Sequence, residues 1–228
     1  MNWMNKRLPE NKKVFSKEIF SEYKKEFSPN YILMVIMAVI YVAILYRFGI
    51  SKNWAGNLDL IKYLILSPML ISVVVIDYRL QIIPNRLNLT MFEIGLIFTF
   101  LYGISNVAIS INMFLGMLAG GGIFLIITLL GGLIYGKEAM GLGDVKLMGA
   151  LGLYLGLTNI IIVALVSFLV CAILSIFLLA TRIKKTDEYI PFGPFIVIGA
   201  FISIFVPYTS LVGILLNVFT LGLYSKNN

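Results

Sequence analysis

Polar and apolar positions fall into long blocks along this chain. After a polar lead, apolar runs occupy Tyr31 to Phe48 and then, by number, about 60–76, 87–103, 109–135, 145–157, 159–180, 192–206 and 209–224. A helix needs roughly 20 apolar residues to cross a bilayer. The pattern therefore predicts an all-α, polytopic integral membrane protein with seven or eight membrane helices. The runs at 145–157 and 209–224 are short, as expected of tilted, re-entrant or interfacial segments. No internal repeat is evident.

The lead, residues 1–29, is basic, with Lys6, Arg7, Lys12, Lys13, Lys17, Lys24 and Lys25. Within it Phe15, Ile19, Tyr23 and Phe27 recur every four residues, a spacing that suits a helix lying on the membrane surface, with a solvated tail as the alternative. The first apolar run comes too late for an ordinary cleaved signal peptide and reads as an uncleaved first span. Two regions result: the tail, 1–29, and a membrane domain, 30–228.

The loops supply an independent constraint. One alternating set carries the tail, Arg79 and Arg86, Lys137 and Lys146, the Arg182-Ile183-Lys184-Lys185 turn and Lys226; the other carries only Arg47, Lys52 and Lys62. By the positive-inside rule the first set, and with it the N-terminus, is expected in the cytoplasm.

Composition agrees with this reading. Hydrophobic residues make up 60% of the chain and charged residues 13%, and the mean hydropathy is +0.96. That is the profile of a multi-pass membrane protein. In such a chain the net charge of +7 points to topology and anionic lipid rather than nucleic acid. There is no histidine and a single cysteine, Cys171. Serine or cysteine nucleophiles paired with histidine, Cys/His zinc sites and internal disulfides are thereby excluded. No metal or cofactor is expected, and carboxylates, lysines and hydroxyls remain.

Two carboxylates stand out. Asp144 follows Gly141-Leu142-Gly143 at a membrane edge, where the glycines permit positive φ or close approach and Asp144 is placed to cap the next helix. Alone, this is a capped turn. Asp77 closes the run from Leu64 to Ile76, also at a membrane edge, and the loop charges put both aspartates on the cytoplasmic side. Two carboxylates brought close together cannot both ionise easily; one then holds a proton while the other activates water. Such a pair hydrolyses an amide without histidine or metal. The rival readings are a transporter using Asp77, Asp144 and Glu93, and a non-catalytic membrane anchor for an assembly. Gly116 with Gly120 and Gly152 with Gly156 form small-residue pairs that allow close helix packing, and Gly120-Gly121-Gly122 is a candidate local bend.

Three stretches together resemble the type IV prepilin peptidases, the Gly-x-Gly-Asp membrane aspartyl proteases. They are Asp77 with Ile83-Pro84-Asn85, the segment Glu138 to Leu147, and Ile190-Pro191-Phe192-Gly193-Pro194-Phe195. The resemblance runs from about residue 60 to 206. It implies an endopeptidase that removes the short basic leader of prepilins or pseudopilins at the cytoplasmic face of the plasma membrane, with Asp77 and Asp144 as the catalytic pair. Gly141, Gly143, Lys146, Pro84, Asn85, Pro191, Gly193 and Pro194 are expected to shape the site. Many members also methylate the new N-terminus through a domain with two Cys-x-x-Cys pairs. Those cysteines are absent here, so the short, peptidase-only form is expected. Archaeal preflagellin peptidases share the aspartates and form the alternative subclass.

Overall fold

The computed structural model describes residues 31–52, 54–135, 140–181 and 191–219, and all regular structure among them is helical. The helices are α1 (Tyr31–Phe48), α2 (Trp54–Leu80), α3 (Asn85–Ser105), α4 (Val107–Tyr135), α5 (Leu142–Ala180), α6 (Gly193–Phe205) and α7 (Tyr208–Phe219). The basic lead, Glu138 with Ala139, and the turn at 182–185 lie outside the described residues. Helices α1 to α5 are each long and apolar enough to cross a membrane, whereas α6 is apolar but has only 13 residues. The protein is a polytopic, all-helical membrane protein. Described residues through Val42 form one compact unit and those from Ala43 onward a second; the residues of the candidate site lie in the second.

Helix α5 is the centre of that unit, packing against α3, α4, α6 and α7. Between Leu147 and Leu155 it buries Leu147, Met148, Ala150, Leu151, Leu153, Tyr154 and Leu155. A helix surrounded on all sides needs no polar face, which is why this stretch shows no amphipathic period. Its approach to α4 depends on missing side chains. A Cβ on Gly116 would stand 2.5 Å from the Gly152 carbonyl oxygen, and one on Gly120 equally close to that of Met148. The small-residue pairs predicted from sequence are this contact. The outward side of α4 exposes Leu118, Leu125, Leu129 and Leu133, a surface suited to lipid.

The expected bend at Gly120-Gly121-Gly122 does not occur: α4 runs through it as helix, with Gly120 and Gly121 turned to α5 and Gly122 facing open space. The break falls in α5 at Gly156, whose φ of 76° and ψ of 175° are not helical. That conformation is open chiefly to glycine. The chain doubles back there. A Cβ on Gly120 would touch Met148 and Ile160 together, at 2.5 and 2.8 Å. In one continuous helix those two residues would lie about 18 Å apart. Asn112 of α4 secures the turn, its Oδ1 accepting the Leu157 N–H at 3.3 Å. The apolar runs 145–157 and 159–180 are therefore two legs meeting at one glycine, and the second returns toward the end that carries Asp144.

Two further ties fix α3. Tyr154 donates from its hydroxyl to the Met91 carbonyl at 2.8 Å, with Gly95 leaving room for the ring. At the far end of α2, buried Lys62 donates to Asp59 Oδ1 at 2.8 Å, and Tyr102 of α3 donates to the same oxygen at 2.7 Å. The Lys62 ammonium lies over the rings of Tyr63 and Tyr102. This pairing satisfies a cation that would otherwise be costly inside a membrane helix.

Candidate active site

Asp77 lies one turn before the C-terminus of α2. The helix ends just beyond it, where Gln81 takes a left-handed φ of 55° and donates its N–H to the Asp77 carbonyl at 2.8 Å. The extended link Ile82 to Pro84 follows, and Asn85 opens α3, with Pro84 as the residue before its first turn. Ile83 lies against Gly143, where a Cβ would meet the Ile83 Cβ at 3.2 Å. Asn88 of α3 donates from Nδ2 to the Gly143 carbonyl at 3.0 Å. The segment after Asp77 therefore clasps the segment before Asp144.

Asp144 sits in the first turn of α5 and donates its backbone N–H to the Gly141 carbonyl at 3.0 Å. Two sequence expectations are corrected here. The helix begins at Leu142, so Asp144 is its third residue rather than its N-cap. Positive φ among described glycines is confined to Gly49 and Gly156, so Gly143 serves approach, to Ile83, while a Cβ on Gly141 would make only ordinary contact with Asp144 Oδ2 at 3.6 Å.

Asp77 and Asp144 come from opposite ends of their helices, yet they lie close enough for their charges to act on one another. Both are almost wholly buried, with 3% and 4% of their surface exposed. A buried carboxylate demands a partner, and Asp77 has one: the Gly193 N–H donates to its Oδ2 at 2.8 Å. That leaves Oδ1 as the atom to carry a proton when Asp77 is neutral.

The Pro191-Phe192-Gly193-Pro194-Phe195 segment delivers this donor. Phe192 is buried, its ring 5.9 Å from Phe124 of α4 and 5.2 Å from Phe168 on the returning leg of α5. Pro194 occupies the first turn of α6, where its missing N–H is no loss. Anchored so, Gly193 starts α6 with its N–H free for Asp77. A Cβ there would stand 2.6 Å from Oδ2, so the position is built for glycine. Sequence reading expected Pro191, Gly193 and Pro194 to shape the site and missed this direct contact; the signal available was a glycine between two prolines, flanked by aromatics.

Lys146 is exposed and donates to Asn85 Oδ1 at 2.8 Å, tying α5 to α3 outside the carboxylate pair. Glu93 is exposed on α3 and makes no ion pair or hydrogen bond among the described residues. Among the described residues no group of three Asp, Glu, Cys or His side chains is placed to hold a metal ion.

Fold and site together define a multi-pass membrane protein with two buried aspartates within electrostatic reach of one another at one end of its helices. Residues 64–176 match the model of the type IV leader peptidase family. A prepilin leader peptidase/N-methyltransferase of Aeromonas hydrophila is 34% identical over 156 residues, 68% of this chain and 53% of that protein. The protein of the same name from Legionella pneumophila is 35% identical over 158 residues, again 68% and 53%. That of Xanthomonas campestris pv. campestris is 32% identical over 184 residues, 79% and 60%. This chain belongs to the type IV leader peptidase family. It spans little more than half the length of these relatives. No solved structure matches it.

Proposed function

We propose that this protein is a membrane aspartyl endopeptidase that removes the short basic leader from type IV prepilins or pilin-like proteins, with Asp77 and Asp144 as its catalytic pair. The observation that carries this reading is the burial of the two carboxylates within electrostatic reach of one another, one of them held by the Gly193 N–H. In the reaction the ionised aspartate takes a proton from water, whose oxygen attacks the scissile carbonyl. The protonated partner gives its proton to the carbonyl oxygen. Collapse of the tetrahedral intermediate breaks the C–N bond: the leaving nitrogen takes the proton that the first aspartate removed from water, and the intermediate's hydroxyl returns a proton to the second.

Topology follows from the loop charges. We place the N-terminal tail, the link 81–84, the segment before Asp144 and the loop 182–190 on the cytoplasmic side of the plasma membrane, so that cleavage occurs there. The tail, 1–29, precedes a membrane peptidase domain, 30–228. Seven or eight segments enter the bilayer; the leg of α5 before Gly156, about 21 Å long at 1.5 Å per residue, is shorter than the hydrocarbon core. Gly141, Gly143, Pro84, Asn85, Lys146, Pro191, Gly193 and Pro194 shape the site. The substrate, itself a membrane helix behind a basic leader, arrives by lateral diffusion.

The test is co-expression with a prepilin from the same genome, read by gel shift and N-terminal sequencing. Leader removal is expected with the parent chain and is lost in Asp77→Asn and in Asp144→Asn while both variants still insert. Absence of cleavage across several prepilins, or cleavage by either variant at the parent's rate, would refute the assignment. The sequenced N-terminus reports methylation in the same experiment.

A further inference from the structure

Behind the carboxylate pair lies a cavity of about 570 Å³ between α3, α4 and α5, lined by Asn85, Asn88, Phe92, Met117, Gly121 and Lys146 among others. Its residues on α5 are Lys146, Gly149 and Ala150. At 100° per residue these lie between about 140° and 240° round the helix from Asp144. The cavity is therefore on the opposite side of the helix from the dyad.

Its polar groups are gathered at one end and incompletely used. Lys146 makes no ion pair among the described residues, its recorded partner being the neutral Asn85. Asn88 is 3% exposed; its Nδ2 is committed to Gly143, while its buried Oδ1 accepts no hydrogen bond. A buried acceptor left open is costly, and such an atom calls for an absent donor. Both α3 and α5 present their N-termini here, and Arg86, next to Asn85, is exposed. Deeper in, the walls are Phe92, Met117, Gly121 and Ala150.

We propose that this cavity is a binding site for one anionic phospholipid, its phosphate on Lys146, its headgroup against the Asn85 and Asn88 end of the wall, and an acyl chain between Phe92 and Met117. Charge selects the occupant: an unpaired ammonium beside two helix N-termini favours an anion. Because Asn88 also holds the Gly143 carbonyl, the bound lipid touches the residue that steadies the segment before Asp144.

The experiment does not depend on peptidase activity. In the full chain, Trp3→Phe and Trp54→Phe remove the native tryptophans and Leu89→Trp places a reporter at the cavity wall, where Leu89 is exposed. The protein is reconstituted with phosphatidylglycerol or phosphatidylcholine carrying brominated acyl chains, and quenching is read against mole fraction. Phosphatidylglycerol is expected to quench preferentially. Lys146→Gln should reduce the preference about fivefold, the worth of one basic residue at an anionic surface, and Lys146→Arg should restore it. Equal quenching by the two lipids, or a preference unchanged in Lys146→Gln, overturns the site. Inorganic phosphate is expected not to relieve quenching; relief by phosphate alone would mark an anion site without a lipid chain and also overturns it.

Discussion

Gly193 offers the sharpest quantitative test of the site, because a single methyl group separates its structural from its catalytic role. In Gly193→Ala the new Cβ would stand 2.6 Å from Asp77 Oδ2 and 3.1 Å from its Cγ, so the Asp77 side chain must swing away and the 2.8 Å bond from Gly193 N–H is lost. A hydrogen bond to a charged group contributes about 1.5–3 kcal/mol. If the whole of it is felt in the transition state, at 1.36 kcal/mol per tenfold, kcat/KM falls by about 10- to 150-fold. Folding is expected to lose about 1–3 kcal/mol for the buried carboxylate left without its donor, offset by up to about 1 kcal/mol because alanine is the better helix former, so rates are compared per folded enzyme. The assay is prepilin cleavage in proteoliposomes with thermal unfolding measured in parallel. Gly122→Ala is the control, its Cβ meeting nothing within 4 Å. Cleavage within twofold of the parent would show that the Gly193 donor does not position Asp77.

Other expectations follow from the packing. Gly116→Ala should lower the unfolding temperature in detergent, because its Cβ meets the backbone of Gly152 and Gly156; overpacking of this kind costs about 1–3 kcal/mol. Asn112→Ala removes the acceptor at Leu157 and should destabilise by about 1 kcal/mol, again read by thermal unfolding. Tyr102→Phe takes a donor from Asp59 at the end of the helices remote from the dyad. It should lower stability by about 1–2 kcal/mol and leave the cleavage rate of folded enzyme unchanged. A rate change in Tyr102→Phe at constant folded fraction would contradict that separation.

The fold was readable in its elements because the bilayer imposes a length on each apolar run, and the runs became helices close to where the blocks lay. Loop charge put Asp77 and Asp144 on one side of the membrane, and in the fold the two lie within electrostatic reach of one another. What escaped was whatever depends on backbone placed by distant residues. Gly193 reaches Asp77 only because Phe192 is wedged between Phe124 and Phe168, contacts that no local pattern encodes. Likewise Gly120-Gly121-Gly122 and Gly156 look alike as glycines in apolar sequence; only the Asn112 side chain opposite Leu157 distinguishes the one that breaks the helix.

That break at Gly156 also makes the site a matter of counting. Gly156 lies twelve positions after Asp144 and twelve before Phe168, so the glycine is the common origin from which the carboxylate and the brace of its partner's donor are measured. Deleting one residue between Leu147 and Leu155 would turn Asp144 by about 100° and draw it about 1.5 Å along the axis, while Phe168 stayed in place. Side chains in this leg can therefore be exchanged for others of similar volume, but its length cannot be altered without disassembling the pair.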